Sequence, residues 1–257
     1  MGVFSVVRRA IADSLDVGLV LLVVLVEWGI TYAFMDVLSN LFAQVISPLL
    51  VNMSFSYAFV QHLVSAVIRF FFQPMNFFIL LVYALLQLYV FMLVMSWIGK
   101  RRIGEPSNPF AAALHRLLAA FFLFVIVYAP IYALVLLIPA VPAGWVPFLF
   151  WFAILLYVFY LPVVLPPFAA LATDRPKMSE ALQHGVFVGK HRYWTILIGL
   201  FLASVIIFAV ELFSSWLYTL WPNMWFGYFL YALAMAIYVV LPVAVVVETY
   251  ITDVHGE

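Results

Sequence analysis

The sequence predicts an all-α membrane protein: a polytopic helical bundle of six transmembrane helices, arranged as three hairpins with cytoplasmic amphipathic helices. Composition is the first observation, since 68% of the 257 residues are hydrophobic, 9% are charged and the mean hydropathy is +1.21. This composition provides too little polar surface to cover a water-soluble protein of this size. We therefore expect lipid to surround the chain. The second observation is a series of long apolar runs, each near the roughly 20 residues that a helix needs to cross the hydrocarbon.

The distribution of basic residues is the third observation. Ten of the eleven Lys and Arg residues lie in alternate breaks between the apolar runs. Because retained positive charge marks the cytoplasmic side, we expect a multi-pass plasma-membrane protein with both termini in the cytoplasm. We also expect the ten side chains to contact anionic lipid headgroups: Arg8, Arg9, Lys100, Arg101, Arg102, Arg116, Arg175, Lys177, Lys190 and Arg192.

The spans lie within one predicted domain, residues 1 to 257. The first apolar run continues through Glu27 and Trp28 without a small-residue cleavage site, so it is a span and not a signal peptide. Basic residues close the second run, and short turns rich in Pro and Trp join the third to the fourth and the fifth to the sixth. The predicted spans are residues 16 to 35, 75 to 98, 112 to 138, 146 to 171, 194 to 218 and 225 to 250.

The connection over residues 36 to 74 is unusually long and mostly apolar, yet it contains Ser, Asn, Gln and Pro. We expect two interfacial helices there, near 37 to 47 and 57 to 72, on the outer side of the membrane. The alternative is a re-entrant span through 57 to 72. Asn52, in the sequence Asn-Met-Ser, is a candidate glycosylation site because this connection is expected outside.

A short amphipathic segment precedes each predicted hairpin. In the first segment, Phe4, Val7 and Ile11 share a helical face opposite the bases. In the second, Asn108 suits an N-cap and Pro109 the first helical turn. The pattern predicts three copies of an interfacial helix followed by a hairpin, the alternative being that cytoplasmic loops acquire such flanks without repetition. The segments run from Phe4 to Ile11, from Asn108 to Arg116 and from Ser179 to Val186.

Prolines predict interruptions within three of the spans. Pro162, Pro166 and Pro167 lie in span 4, Pro130 lies in span 3 and Pro242 lies in span 6. Each removes a backbone hydrogen bond, so the freed carbonyl must find another partner. Interrupted spans occur in transporters and in static bundles alike.

The run from Pro166 to Trp194 contains Glu180-Ala-Leu followed by Gly189-Lys-His-Arg-Tyr-Trp194. It resembles the cytoplasmic segment of six-span prokaryotic membrane domains, which occur in some glycerophosphoryl diester phosphodiesterases and in related uncharacterised proteins. The segment from Gly104 to Leu114 is similar as well. The resemblance implies a six-span fold in a lipid-facing setting. It does not imply the phosphodiesterase activity, because the chain contains no such soluble domain.

Two carboxylates are expected deep within the membrane. Glu27 lies near the centre of span 1 and Glu211 in the outer half of span 5, where an ionised carboxylate costs about 2.5 to 3.5 kcal/mol. With Arg69 as a counter-ion and Gln87 as a hydrogen-bond partner, they form a candidate intramembrane polar site. The alternative is that each carboxyl is protonated and only hydrogen-bonds within the bundle.

Signatures of catalysis are missing from the sequence. It has no cysteine, no His-Glu-x-x-His, no P-loop, no dinucleotide fingerprint and no Gly-x-Ser-x-Gly. We therefore expect no catalytic residue, no metal, no cofactor and no nucleic-acid partner. The sequence favours a non-enzymatic protein that binds membrane lipids and a membrane-protein partner or a second copy, as a scaffold or accessory subunit. The alternative is a small transporter or channel that uses the intramembrane carboxylates.

The orientation is testable because the chain has no native cysteine. Single cysteines at Ser107 and Ser179 should react with an impermeant thiol reagent only after the inner face is opened, while one at Ser54 should react from outside. Labelling of Ser179→Cys in sealed right-side-out vesicles would contradict the predicted topology.

Overall fold

The computed structural model describes residues 2–41, 73–104, 108–137, 145–174, 177–221 and 224–254. Regular structure in these ranges is α-helical throughout, which confirms the predicted fold class. The helices, numbered in chain order, are α1 Val3–Ser14, α2 Val17–Leu41, α3 Pro74–Ile103, α4 Pro109–Leu137, α5 Val146–Val164, α6 Pro166–Thr173, α7 Met178–His191, α8 Tyr193–Leu220 and α9 Met224–Val254.

Six segments of the described helices are long and apolar enough to cross a membrane, so the chain is a multi-pass membrane protein. Each overlaps one predicted span. The segments are Val17–Phe34, Phe78–Ile103, Pro109–Val127, Leu155–Thr173, Tyr193–Leu220 and Ala236–Val254.

The long connection is described only at its two ends. Helix α2 continues to Leu41, so residues 37 to 41 belong to it and not to a separate interfacial helix. The rest of the connection up to residue 72 lies outside the described residues, as do Asn52, Arg69 and Arg175.

Side chains and a glycine fix where three of the helices begin or end. Asp16 caps α2, because its Oδ1 accepts hydrogen bonds from the backbone of Gly18 at 3.0 Å and of Leu19 at 3.2 Å. Asn108 Oδ1 accepts from the Phe110 backbone at 2.9 Å, which confirms the predicted cap of α4. Helix α3 ends at Ile103, and the following Gly104 has a φ of 77°, which suits a residue without a side chain.

Proline interrupts only one of the three spans in which it was expected to. Helix α5 ends at Val164, and α6 begins at Pro166, where a missing N–H costs no helical hydrogen bond. By contrast, α4 continues through Pro130 and α9 through Pro242. The fourth span is therefore two helices in sequence.

Helix α1 exists as predicted, but the residues of its predicted apolar face differ in exposure. Val6, Val7 and Ala10 are buried, whereas Phe4 is 82% exposed. Contacts with α8 and α9 account for the difference, because small and branched side chains allow α1 to pack closely and leave Phe4 on the far side. The second amphipathic segment is no separate helix, since α4 runs from Pro109 directly into its span.

Glycine allows α7 to pack against the proline break. All of α6 is buried, and the face of α7 toward it is small. A Cβ at Gly185 would overlap the backbone of Pro167, and one at Gly189 would lie 2.6 Å from the carbonyl oxygen of Pro162. Helix α7 is therefore joined closely to the fourth span and is not held to the protein by its lipid-facing side chains alone.

The chain divides into two compact units. The first comprises Met1–Gly29, Gln87–Leu123 and Leu161–Glu257, and its core is the last part of α9, in which residues 243 to 251 are all buried. The second comprises Ile30–Leu86 and Phe124–Tyr160, where the rings of Phe34 and Tyr83 meet edge to face at 5.4 Å. The single domain expected over the whole chain stays a prediction.

The contact between α6 and α7 predicts a difference between two glycines. Gly185→Ala should destabilise the protein by about 1 to 3 kcal/mol because the methyl group must displace backbone. Gly29→Ala should instead stabilise α2 by about 0.5 to 1 kcal/mol, since a methyl group there would meet nothing within 4 Å. Thermal melting in one detergent compares them; equal melting temperatures would contradict the close packing.

Candidate functional site at the basic end

Charged residues and both terminal helices meet at one end of the first unit. This region, here called the basic end, consists of α1, α7 and the adjoining ends of α3, α4, α6, α8 and α9. Helix α3 brings three consecutive bases to it in its last turn, and α1 brings acidic residues through the turn that leads to α2. Opposite charges from distant parts of the sequence are therefore close together here.

A buried charge cluster joins three of the helices. The guanidinium of Arg102 in α3 donates from Nη2 to both oxygens of Asp13 in α1, at 3.2 Å each. Its Nε lies 2.7 Å from Oε1 of Glu248 in α9, close enough for an ion pair although the N–H does not point at that oxygen. Glu248 is 1% exposed and Asp13 is 7% exposed.

Burial makes the three charges of this cluster depend on one another. A charged group that is withdrawn from water destabilises the protein unless it is paired. Removing one partner of a buried ion pair therefore costs more stability than forming the pair contributed. Lys100, one residue before this turn's other bases, is also buried and has polar interactions of its own. The three bases in the last turn of α3 thus all interact with other groups of the protein.

Two further arginines connect a turn to the end of a neighbouring span. Arg101, in the last turn of α3, pairs with Asp16, in the turn between α1 and α2. Arg192, in the turn between α7 and α8, pairs through Nε with Oδ1 of Asp253, in the last turn of α9, at 2.6 Å. The two contacts occupy equivalent places in the first and third predicted hairpins, with the positions of acid and base exchanged.

The second predicted hairpin has a comparable contact. Arg116, near the start of α4, donates from Nη1 to the backbone oxygen of Ala172 and, at 3.4 Å, to that of Thr173. These carbonyls end α6, where backbone oxygens lack helical partners and carry partial negative charge. We call these three contacts the arginine braces. An arginine contact therefore occurs in each predicted hairpin, although the second hairpin lacks the separate interfacial helix that the predicted threefold repeat includes.

Helix α9 is also linked to the second hairpin. The hydroxyl of Tyr250 donates to Asp174 Oδ1 at 2.8 Å, and that carboxylate also accepts from Thr173 Oγ1 at 3.0 Å. Ser96 in α3 donates to the Ala172 oxygen at 3.3 Å. The end of α6 is therefore fixed from both sides by side chains that are themselves buried.

Some of the bases predicted to touch lipid headgroups remain exposed. Arg8, Arg101, Lys177 and Lys190 are exposed at the basic end, but Arg101 and Lys177 pair with carboxylates, the second with Glu180 at 3.2 Å. The others differ in burial: Lys100 is buried, and Arg9, Arg102, Arg116 and Arg192 are half-buried. Headgroup contact stays a prediction for all ten.

The exposed sides of α1 and α7 combine bases with large apolar groups. Phe4 is 82% exposed one helical turn before Arg8. Phe187 is exposed one turn before Lys190, and its ring stacks on that of His191 with an interplanar angle of 5°. A side of this kind is suited to the boundary between acyl chains and headgroups, where the ring enters the lipid and the base stays with the phosphate.

The candidate intramembrane site is brought together only in part. Gln87 Nε2 donates to Glu27 Oε2 at 2.8 Å, and Glu27 is 2% exposed. Its second oxygen has no hydrogen-bond partner among the described residues. Glu211 is exposed on α8, and within the described ranges no hydrogen bond or ion pair links it to Glu27. Arg69 lies outside those ranges.

Comparisons with known proteins identify no relative. No family model, curated protein or solved structure matches the chain. The resemblance to phosphodiesterase membrane domains stays a prediction. In the part of the chain that the structure describes, no group of three or more His, Cys, Asp or Glu residues is arranged to hold a metal ion.

Sequence reasoning missed the acidic half of the basic end. Asp13, Asp16 and Asp253 were not singled out as partners of particular bases. One signal was present: acidic residues occur at the ends of three apolar runs, at the depth where bases end other runs. Hydropathy and charge counting do not say which acid meets which base, because the partners lie far apart in the sequence.

The charge cluster predicts unequal roles for neighbouring arginines. Arg102→Met should lower the free energy of unfolding by about 3 to 5 kcal/mol, because Asp13 and Glu248 remain buried without their cation. Arg101→Met should cost about 0 to 1 kcal/mol, since its side chain is 59% exposed. Unfolding in mixed detergents measures both. Adding Asp13→Leu and Glu248→Leu to Arg102→Met should recover much of the loss; no recovery would contradict a role through charge.

Proposed function

We propose that this chain is a non-enzymatic membrane protein of a prokaryotic plasma membrane, with both termini in the cytoplasm. It binds anionic lipid at the basic end and serves as a scaffold or accessory subunit for a membrane partner. The observation that carries the proposal is the exposed side of α1 and α7, where Phe4 with Arg8 and Phe187 with Lys190 repeat the same pairing of ring and base.

The internal contacts of the basic end support this function. Arg102, Arg116 and Arg192 have acceptors within the protein, so the surface is held in a fixed shape before any ligand arrives. A prearranged surface loses less conformational freedom on binding. The two bases left on α1 and α7 each gain about 1 kcal/mol near an anionic membrane surface, and the rings add apolar burial.

The alternative, a small transporter or channel, has one supporting observation. Glu27 is buried in a span with one carboxylate oxygen lacking a hydrogen bond to any described residue. A transport path was expected to involve Glu211 as well, but that residue is exposed and makes no contact with Glu27 within the described ranges. The geometry thus favours the scaffold.

Lipid selectivity tests the proposal. Protein equilibrated with defined mixtures of phosphatidylglycerol and phosphatidylcholine should retain the anionic lipid preferentially, as counted by native mass spectrometry. Replacing both Arg8 and Lys190 with Gln should lower this preference about 30-fold, if each base contributes about 1 kcal/mol. The matched control replaces Arg101 and Lys177 with Gln, which removes the same net charge from bases that have carboxylate partners.

The control variant should keep most of the preference. Equal retention of both lipids by the unaltered protein would contradict the proposal. Equal losses in the two double variants would show that net charge alone, and not the side of α1 and α7, determines lipid binding. If the protein conducts cations across reconstituted vesicles and Glu27→Gln abolishes this flux, the transporter is favoured instead.

A further inference from the structure

Helix α8 carries polar side chains along one exposed side of the half that runs roughly from Ser204 to Leu220. Ser204, Glu211, Ser215 and Tyr218 are all exposed, and steps of seven, four and three residues place them in one row. We call this row the polar stripe. Phe208 lies in the same row, between Ser204 and Glu211, and Thr219 lies at the edge of the row. The other exposed side chains in this half of α8 are apolar or aromatic: Val205, Ala209, Leu212, Phe213, Trp216 and Leu220.

The depth of Glu211 makes the polar stripe unusual. Glu211 precedes Leu220, the last residue of α8, by nine positions, which is about 14 Å along a helix. It follows Arg192 by nineteen positions, or about 28 Å. Lipid chains supply neither a cation nor a hydrogen-bond donor at such a depth, and an ionised carboxylate that faces them is unfavourable.

The polar groups of the stripe differ in their own partners. The hydroxyl of Ser204 donates to the Leu200 carbonyl at 2.9 Å, and that of Thr219 to the Trp216 carbonyl at 2.6 Å. Backbone of the same helix therefore occupies these two donors. Glu211 has no such contact: among the described residues it forms neither a hydrogen bond nor an ion pair. The one acidic group of the row is thus the group for which an external partner matters most.

We propose that the polar stripe binds a transmembrane helix of a partner protein, and that a lysine or arginine of that helix pairs with Glu211. Charge complementarity favours this occupant over a second copy of the chain. All described Lys and Arg residues lie at the basic end, so a second copy in the same orientation offers none of them at this depth. The inference names the partner surface of the proposed scaffold and therefore rests on that function.

The spacing of the stripe also fits a packed helix. Rows with a period near 3.5 residues match the crossing angle of about 20° that is common between membrane helices. Small residues such as Ser204 and Ser215 allow two backbones to approach closely. Phe208 and Tyr218 can then fill the space on either side of the contact.

A model peptide tests the proposal without knowledge of the natural partner. The full chain is reconstituted in phosphatidylcholine vesicles with a single-span Leu/Ala peptide that has one lysine at the depth of Glu211, or leucine in its place. Fluorescence energy transfer measures association. The lysine peptide should bind at least about tenfold more tightly than the leucine peptide, the effect of one hydrogen-bonded pair in a membrane. Glu211→Leu should remove the difference.

The matched control moves the carboxylate around the helix. A double variant with Glu211→Leu and Leu212→Glu keeps charge and depth but turns the carboxylate by about 100°, away from the serines. It should bind both peptides equally. Lysine selectivity in this variant would overturn the role of the stripe, and equal binding of both peptides by the unaltered protein would overturn the proposal itself. Thermal melting shows that each variant is folded.

Other occupants give different results. If residues 42 to 72 of the same chain cover the stripe, the unaltered protein will bind neither peptide selectively, which overturns the proposal. The protein could instead associate with itself through the polar stripe. If Glu211→Leu abolishes self-association and the lysine peptide does not compete with it, the stripe binds a second copy and the proposal is overturned. Anionic-lipid retention, measured on the same variants in mixtures of phosphatidylglycerol and phosphatidylcholine, depends on Arg8 and Lys190 and not on Glu211. A failure of the proposed function is therefore distinguishable from a failure of the stripe.

Discussion

The guanidinium of Arg102, which is half-buried between two buried carboxylates, is the constraint on which the basic end depends. It faces one carboxylate from α1 and another from α9, so three helices from the beginning, middle and end of the chain must meet at one point. Two apolar side chains can slide past each other at little cost, but a half-buried cation has few acceptable positions. Charge therefore fixes the register of helices whose lipid-facing surfaces are nearly uniform. Membranes supply little hydrophobic drive for helix association, so such polar contacts and close packing determine the arrangement.

Close packing supplies the second part of this arrangement. Residues 243 to 251 of α9 are all buried. A Cβ at Gly199 of α8 would lie only 2.6 Å from Cγ1 of Val245 in this stretch, so the two helices pack closely. Gly185 serves the same purpose between α7 and α6. The arginine braces add contacts near the same level in each predicted hairpin, although the first and third exchange acid and base and the second uses backbone carbonyls. What recurs is the presence of an arginine contact between the start of one span and the end of the next.

The spans could be predicted from the sequence because length and hydropathy are local properties, and the cap at Asn108 because capping involves only neighbouring residues. The partners of charged residues could not. Asp13 and Glu248 are about 235 residues apart in the sequence, and the rule that orients membrane proteins counts bases without asking what they contact. For the same reason the pairing of Arg102 with Asp13 and Glu248 could not be predicted. The different exposures of Phe4 and Val7 could not be predicted either, because amphipathicity does not distinguish a side that packs on protein from one that enters lipid. Glu27 and Glu211 looked equivalent in sequence, yet one is buried beside Gln87 and the other is exposed.

The charge cluster has a consequence for biosynthesis. Asp13 is synthesised about 235 residues before Glu248, and at about 5 to 20 residues per second roughly ten to fifty seconds separate them. Throughout that interval Asp13 and Arg102 lack the third member of the cluster, and α1 lacks the helix that buries it. A nascent chain that stops before α9 thus keeps α1 undocked from that helix. Proteases that survey incomplete membrane proteins would find α1 accessible, whereas completion of the last span hides it.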